Sequence, residues 1–310
     1  MFQMESAAVI YHIPALLEDS VASLDIKPGG VYVDATFGGG GHSREILRRL
    51  GPDGRLFGFD RDRDAMRNIP DDPRFTFVLS DFRFIKNFLK FYGYEKVDGI
   101  IADLGVSFHH FDSAERGFSF RADAPLDMRM NSEAPRMARD IIAESSEQEL
   151  RTIFKTYTDL KNAGEIAKLI TIAKREKPIE TTFDLVAAVE PALNPKSRKK
   201  DLAQVFQALR IVTNNEMDSL RELLTQAGKV LKRNGVLSVL TYHSGEDRIV
   251  KDFFKSGSLT GEVEQDLIFG GTKSPWKLVN RSPIVASEEE VERNPRARSA
   301  KLRAAKYTGK

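Results

Sequence analysis

The segment Asp34-Ala35-Thr36-Phe37-Gly38-Gly39-Gly40-Gly41-His42 constrains this chain more than any other. It follows the β-branched run Val31-Tyr32-Val33 and opens a helix-like stretch over residues 43–50, so it is a strand-to-helix turn. Glycine loses more conformational freedom on folding than any other residue, and a turn that only reverses the chain does not need four in a row. A turn that lets a ligand lie against bare backbone, beside the first N–H groups of a helix, does need them. Further β-rich runs at 56–59, 75–79 and 99–102 alternate with helix-like stretches at 43–50 and 82–92. This alternation predicts βαβ units and a parallel sheet.

The pattern stops near residue 110. From there to about 234 only amphipathic helices are legible. Ser146 and Glu149 have capping-box spacing, and Leu150, Ile153, Phe154 and Tyr157 follow on one helical face. Three more stripes are Ile166/Leu169/Ile170/Ala173, Leu202/Val205/Phe206/Leu209 and Leu220/Leu223/Leu224/Ala227/Leu231. After Gly235 a buried strand pattern resumes at 236–241. The expected organisation is a discontinuous α/β domain, residues 1–110 and 212–310, interrupted by a helical domain over 111–211. Two domains also suit 310 residues at about 150 per domain.

Composition narrows the chemistry. No apolar run approaches the roughly 18 residues that span a bilayer, and no basic run precedes an apolar core at the N-terminus, so a cytoplasmic protein is expected. The absence of cysteine excludes disulfides, thiolate zinc sites and thiol nucleophiles. A net charge of +2, from 47 basic and 45 acidic residues, announces no polyanionic partner. Two local clusters do: Lys196, Arg198, Lys199 and Lys200, and the tail with Arg293, Arg296, Arg298, Lys301, Arg303, Lys306 and Lys310. Either alone reads as a solvated face, but two around a ligand site point to a phosphate backbone.

Asp60 ends the second β-run, a little beyond the roughly 20-residue spacing at which an acid meets a ribose hydroxyl in Rossmann-type sites. With the glycine turn it implies an adenosine-bearing cofactor, either a nicotinamide dinucleotide or S-adenosylmethionine. Asp103 ends the fourth run, where ligand crevices of open α/β sheets lie, although capping a turn is an alternative role. The irregular segments 116–121 and 125–130, rich in Arg and Phe, suit base stacking and phosphate contact or equally a loop with a hydrophobic anchor. His243, Glu246 and Asp247 lack a second nearby histidine, so no metal site is expected, and Ser244 has no partners for nucleophilic catalysis.

The acid-first spacing of Asp34, Gly38 and Gly40 resembles the first motif of S-adenosylmethionine-dependent methyltransferases. The blocks at 34–43, 103–107, 116–121, 125–130, 206–211, 243–250 and 294–302 together resemble, in order and spacing, the bacterial RsmH (MraW) family. These enzymes methylate N4 of a cytosine in 16S ribosomal RNA near the decoding centre. The resemblance implies a Rossmann-like class I methyltransferase sheet with an inserted all-helical substrate-recognition domain. It implies S-adenosylmethionine as cofactor, held by Gly40, Gly41, His42, Asp60, Phe82, Asp103 and His110, with Asp103 also catalytic. The implied partner is 16S ribosomal RNA or the small ribosomal subunit; no membrane is implied, and a homodimer is left open. The chain departs from the family's usual Ser-Pro and Gln at Phe108, His109 and His110. It also departs from Phe-His-Ser-Leu-Glu-Asp-Arg at Tyr242 and Gly245, and from His-Pro-Ala-Thr-Arg in the Lys-rich stretch 194–201.

Cytosine N4 is a poor nucleophile because its lone pair is delocalised into the ring. Alignment and a proton acceptor must carry the reaction, and Asp103 or the carbonyl beside it is the expected acceptor. Leu104-Gly105-Val106 stands where many amino-group methyltransferases carry Pro-Pro-aromatic, so the stacking ring must come from elsewhere, with Phe108, Phe118 and Tyr242 as candidates. Two other classes share parts of the pattern. A nicotinamide-dependent oxidoreductase is disfavoured by the acid-first glycine spacing, and a non-catalytic RNA-binding assembly factor would leave the cofactor's methyl group untouched.

Overall fold

Apolar runs without alternation, such as Ile100-Ile101-Ala102, suit strands covered on both faces, and all three are fully buried. The computed structural model describes residues 14–105, 114–260 and 274–309. It contains β1 (Val31–Asp34), β2 (Arg55–Asp60), β3 (Phe75–Leu79), β4 (Val97–Asp103), β5 (Leu231–Thr241), β6 (Trp276–Leu278), β7 (Ile284–Val285) and β8 (Lys301–Tyr307). The helices are α1 (Leu17–Ser23), α2 (Gly41–Arg49), α3 (Ile85–Phe91), α4 (Ala138–Glu144), α5 (Glu147–Tyr157), α6 (Ala163–Glu176), α7 (Thr182–Val189), α8 (Arg198–Thr213), α9 (Glu216–Val230), α10 (Ser244–Ser256) and α11 (Glu288–Arg293). Among the described residues no helix is long and apolar enough to cross a membrane.

Two compact units result, Met1–Leu104 with Arg221–Lys310, and Gly105–Leu220. In the first, the sheet order is β3-β2-β1-β4-β5-β8-β6, with β7 also paired to β8. The five strands β3, β2, β1, β4 and β5 run parallel, whereas β8 runs antiparallel to β5, β6 and β7. The sheet is therefore mixed at one side. β8 is also where the basic tail goes. Leu302, Ala304 and Ala305 are buried, while Arg303 pairs with Asp247 at 2.6 Å and Lys306 with Asp25 at 3.5 Å. Three of the seven tail cations, Lys301, Arg303 and Lys306, thus lie on a sheet strand with acidic partners. Leu16, Val21 and Leu24 pack with Ile46, Leu47, Leu56, Ile101, Leu240 and Leu302 against the sheet. Trp276 stacks among Phe253, Phe254 and Tyr307 with ring centroids 5.3–5.6 Å apart.

The second unit is helical around Leu126, Met128, Ile141, Leu150, Phe154, Ile166, Ile170, Leu185 and Leu209. The capping box of α5 forms: Glu149 N–H donates to Ser146 Oγ at 3.3 Å, and Ser146 N–H to Glu149 Oε2 at 2.7 Å. The Arg/Phe-rich segment resolves as an anchored loop. Phe118, Leu126, Met128 and Met130 enter the core. Arg116 donates to the carbonyls of Arg129 and Met130, and Arg129 pairs with Asp127 at 2.6 Å. Asn214 clamps the segment by donating to Met128 O and accepting from Met130 N, both at 2.7 Å. Phe118, at 5% exposure, is a core residue and no stacking platform.

Candidate active site

Parallel register brings the carboxyl ends of β1, β2, β4 and β5 to one edge: Asp34 aligns with Gly58 and Ile101, and Asp103 with Leu240. β1 is flanked by β2 on one side and β4 on the other, so this edge is the topological switch point at which open α/β sheets bind ligands. The chain leaving β1 is pinned between both neighbours, with Ala35 N–H donating to Ile101 O and Phe37 N–H to Phe59 O, each at 2.8 Å.

Gly38 and Gly40 have φ of 50° and 75°, the left-handed region that favours glycine. A Cβ on Gly40 would also lie 3.0 Å from the Phe37 ring. Gly38 N–H donates to Asp60 Oδ2 and Asp62 N–H to Asp60 Oδ1, both at 2.8 Å, so the acid at the end of β2 is oriented by the turn it faces. Asn68 donates to Gly38 O at 2.9 Å, and Arg44 to Gly39 O at 2.7 Å. Asp34 ties the two ends of the turn together, accepting from Thr36 N–H at 3.1 Å and from Ser43 Oγ at 2.7 Å.

Behind this turn lies a cluster of ionisable groups. Asp103 N–H donates to Thr36 Oγ1 at 2.6 Å, and its carboxylate accepts from the Tyr242 phenol at 2.6 Å. His42, in the first turn of α2, is buried, with Nδ1 3.9 Å from Asp103 Oδ2 and with no hydrogen-bond partner for Nε2 among the described residues. Burial pushes this imidazole down to about 4, so it is neutral at physiological pH. Burial pushes the Asp103 carboxyl up to about 7, opposed by the Tyr242 hydrogen bond and assisted by the Asp34 and Glu246 carboxylates. That value suits a base working near neutrality. Glu246 accepts from Tyr242 N–H at 2.9 Å and donates its own N–H to the cap, His243 Nδ1, at 3.4 Å, while His243 Nε2 stands 3.2 Å from Glu246 Oε1. Gly245 leaves room for that cap, since a Cβ there would come 3.1 Å from His243 Nδ1.

Gly40, Gly41, His42, Asp60 and Asp103 therefore lie together around one edge of the sheet. Phe82 opens a short 3-10 turn, Phe82–Phe84, at the end of β3 beside Asp60's strand. It follows Asp81, which accepts from Arg83 N–H at 2.9 Å and pairs with Arg61 at 3.3 Å. His110 and Phe108 lie outside the described residues. Sequence reasoning missed Thr36 and Asn68, whose polar types in a glycine-rich region were the available signal. It considered Tyr242 only for its ring, whereas the phenol oxygen makes the contact.

The donor set fits S-adenosylmethionine. The edge carries Asp34, Asp60 and Asp103, which suits a cationic sulfonium; the Asp60 carboxylate suits a ribose diol; the start of α2 offers backbone N–H groups to a carboxylate; and the buried His42 Nε2 awaits a polar partner. Sheet order, glycine turn and acidic strand ends define a class I S-adenosylmethionine-dependent methyltransferase with a helical insertion. The chain belongs to the MraW methylase family, which it matches over residues 9–308. It is 53% identical over 303 residues to the ribosomal RNA small subunit methyltransferase H of Parabacteroides distasonis, covering 97% of this chain and 99% of that one. The protein of the same name from Phocaeicola vulgatus is 54% identical over 302 residues with the same coverage. A solved rRNA methylase from Streptococcus thermophilus aligns over 97% of this chain and 99% of its own at 10% identity and a TM-score of 0.40, too distant to bear on the site.

The buried Asp34 makes a pH-dependent prediction. Burial pushes its carboxyl from 3.8 to about 6. The folded protein then holds a proton that the unfolded chain releases, so stability falls as pH rises from about 4 to 6 and the penalty stays constant above. Asp34→Asn keeps the shape and an acceptor for Thr36 N–H without the ionisation penalty. It is expected to unfold at higher urea than the parent at pH 7.5, by at most about 3 kcal/mol, and at the same urea at pH 3.5. Equal midpoints at both pH values would show that Asp34 ionises without penalty.

Proposed function

We infer that this protein transfers a methyl group from S-adenosylmethionine to N4 of a cytosine in 16S ribosomal RNA, acting in the cytoplasm on the small ribosomal subunit. The observation that carries this is the Asp103 carboxylate, set at the switch point beside the glycine turn and titrating near 7. When bound, S-adenosylmethionine supplies an electrophilic methyl group on a sulfonium. The Asp60 carboxylate, already oriented by two backbone N–H groups, holds the ribose, and Gly40, Gly41 and His42 hold the remainder. Asp103 receives the proton that N4 gives up as its bond to carbon forms, which keeps the amine from carrying a full positive charge in the transition state. The neutral His42 adds no positive charge that would compete with the sulfonium. The target base must leave its stack or lie in an accessible loop to reach Asp103, at a cost of a few kcal/mol for a stacked base. The helical unit is the inferred source of RNA contacts; among its basic residues, Lys196, Lys199 and Lys200 accompany Arg198, whose guanidinium is paired with Glu190 at 2.6 Å.

The test is transfer from S-adenosylmethionine with a radiolabelled methyl group to small ribosomal subunits isolated from cells lacking this protein, followed by nucleoside analysis. Label recovered as N4-methylcytidine is the expected result. Label in another nucleoside, or none from folded protein that binds the donor, would refute the assignment.

A further inference from the structure

Tyr242 stands where β5 leaves the sheet, and its backbone is fixed by donation to Glu246 Oε2 at 2.9 Å. The ring reaches β4, where the phenol donates to Asp103 Oδ1 at 2.6 Å, while Asp103 N–H is held by Thr36 Oγ1 at 2.6 Å. Backbone and one carboxylate oxygen are thus both constrained. The other oxygen, Oδ2, has no hydrogen bond among the described residues, and His42 Nδ1 stands off at 3.9 Å. Resting on the assignment of Asp103 as proton acceptor, we propose that Tyr242 is a positioning residue whose phenol clamps one oxygen of Asp103 so that the other is presented to the cytosine amine.

The same bond sets the working pH. The titratable groups facing the pair are Asp34 of β1, His42 of α2, His243 at the α10 cap, Glu246 of α10 and Glu290 of α11. Burial raises the phenol well above its usual value, with the Asp103 charge adding to it, so it remains a donor. A donor to the ionised form favours that form, against the burial and carboxylates that oppose it. Without the hydroxyl, Asp103 keeps the opposing influences and loses the supporting one.

The test compares Tyr242→Phe with the parent in two ways. The first is kcat against pH on small ribosomal subunits at saturating donor. The second is the carbon-13 NMR titration of the Asp103 carboxyl in donor-free protein, with Asp103→Asn providing the assignment. Both midpoints are expected to rise by about one pH unit, with kcat returning toward the parent's at high pH and KM for the subunit unchanged. A fluorinated tyrosine at position 242, a stronger donor of nearly the same shape, is expected to move both midpoints down. Unmoved midpoints, or a kcat loss equal at every pH, would overturn the role of Tyr242. If Asp103→Asn turns over like the parent, the base assignment itself fails and the proposal with it. If Asp103→Asn is inactive while the Tyr242→Phe midpoints stay in place, Asp103 stands and only the role of Tyr242 falls.

Discussion

Asp103→Asn is expected to lower kcat about 10²–10⁴-fold, the usual contribution of a positioned general base. Asn keeps the shape of the side chain and can still accept from the Tyr242 phenol, so the 2.6 Å contact and the Thr36 bond to the backbone have no reason to break. What disappears is the capacity to take a proton. Burial pushes the carboxyl up to about 7 in the donor-free protein, so the parent's kcat/KM for the donor rises through neutrality as Asp103 ionises, and the variant's residual activity lacks that limb. Donor affinity falls no more than about tenfold, the worth of one hydrogen bond of about 1.5 kcal/mol. Single-turnover transfer with a radiolabelled methyl donor separates the two effects. A variant with parental kcat would remove Asp103 from the chemistry.

Asp60→Ala is expected to act on binding. It removes the proposed ribose acceptor and, with it, the partner of both Gly38 N–H and Asp62 N–H. Two or three hydrogen bonds to a charged group, at about 1.5 kcal/mol each, correspond to a 10²–10³-fold weaker donor Kd. Saturating donor recovers most of kcat, because Asp103 and its supports lie on other strands. Asp60→Asn retains one acceptor oxygen and is expected to fall between the two. Calorimetric titration with S-adenosylmethionine measures the Kd directly. An unchanged Kd in Asp60→Ala would place the ribose elsewhere.

The glycine turn and the acids at the strand ends were legible in the sequence because their causes are local. Left-handed φ at Gly38 and Gly40 calls for glycine, and a polar residue closing an apolar run marks a strand end. The helical stripes were legible for the same reason, except that Leu231, read as the end of the fourth stripe, opens β5, and Ser146 caps α5 with the partner its spacing named. β8 was hidden because Lys301, Arg303 and Lys306 alternate with small apolar residues, and a strand whose cations pair with Asp25 and Asp247 has the composition of a basic tail. The segment 116–130 was ambiguous because Arg and Phe serve RNA and a folded core equally well. Only the carbonyls that Arg116 reaches and the core that Phe118 enters separate the two. The Tyr242–Asp103 bond joins residues 139 positions apart, and no local pattern encodes such a contact.

The most direct measurement is mass-spectrometric mapping of 16S ribosomal RNA from cells that lack this protein and are complemented with either the parent chain or Asp103→Asn at equal abundance. The expected result is a single cytidine that loses an N4-methyl group in the deletion, regains it with the parent and stays unmethylated with the variant. Methylation restored equally by both, or by neither, would contradict the assignment.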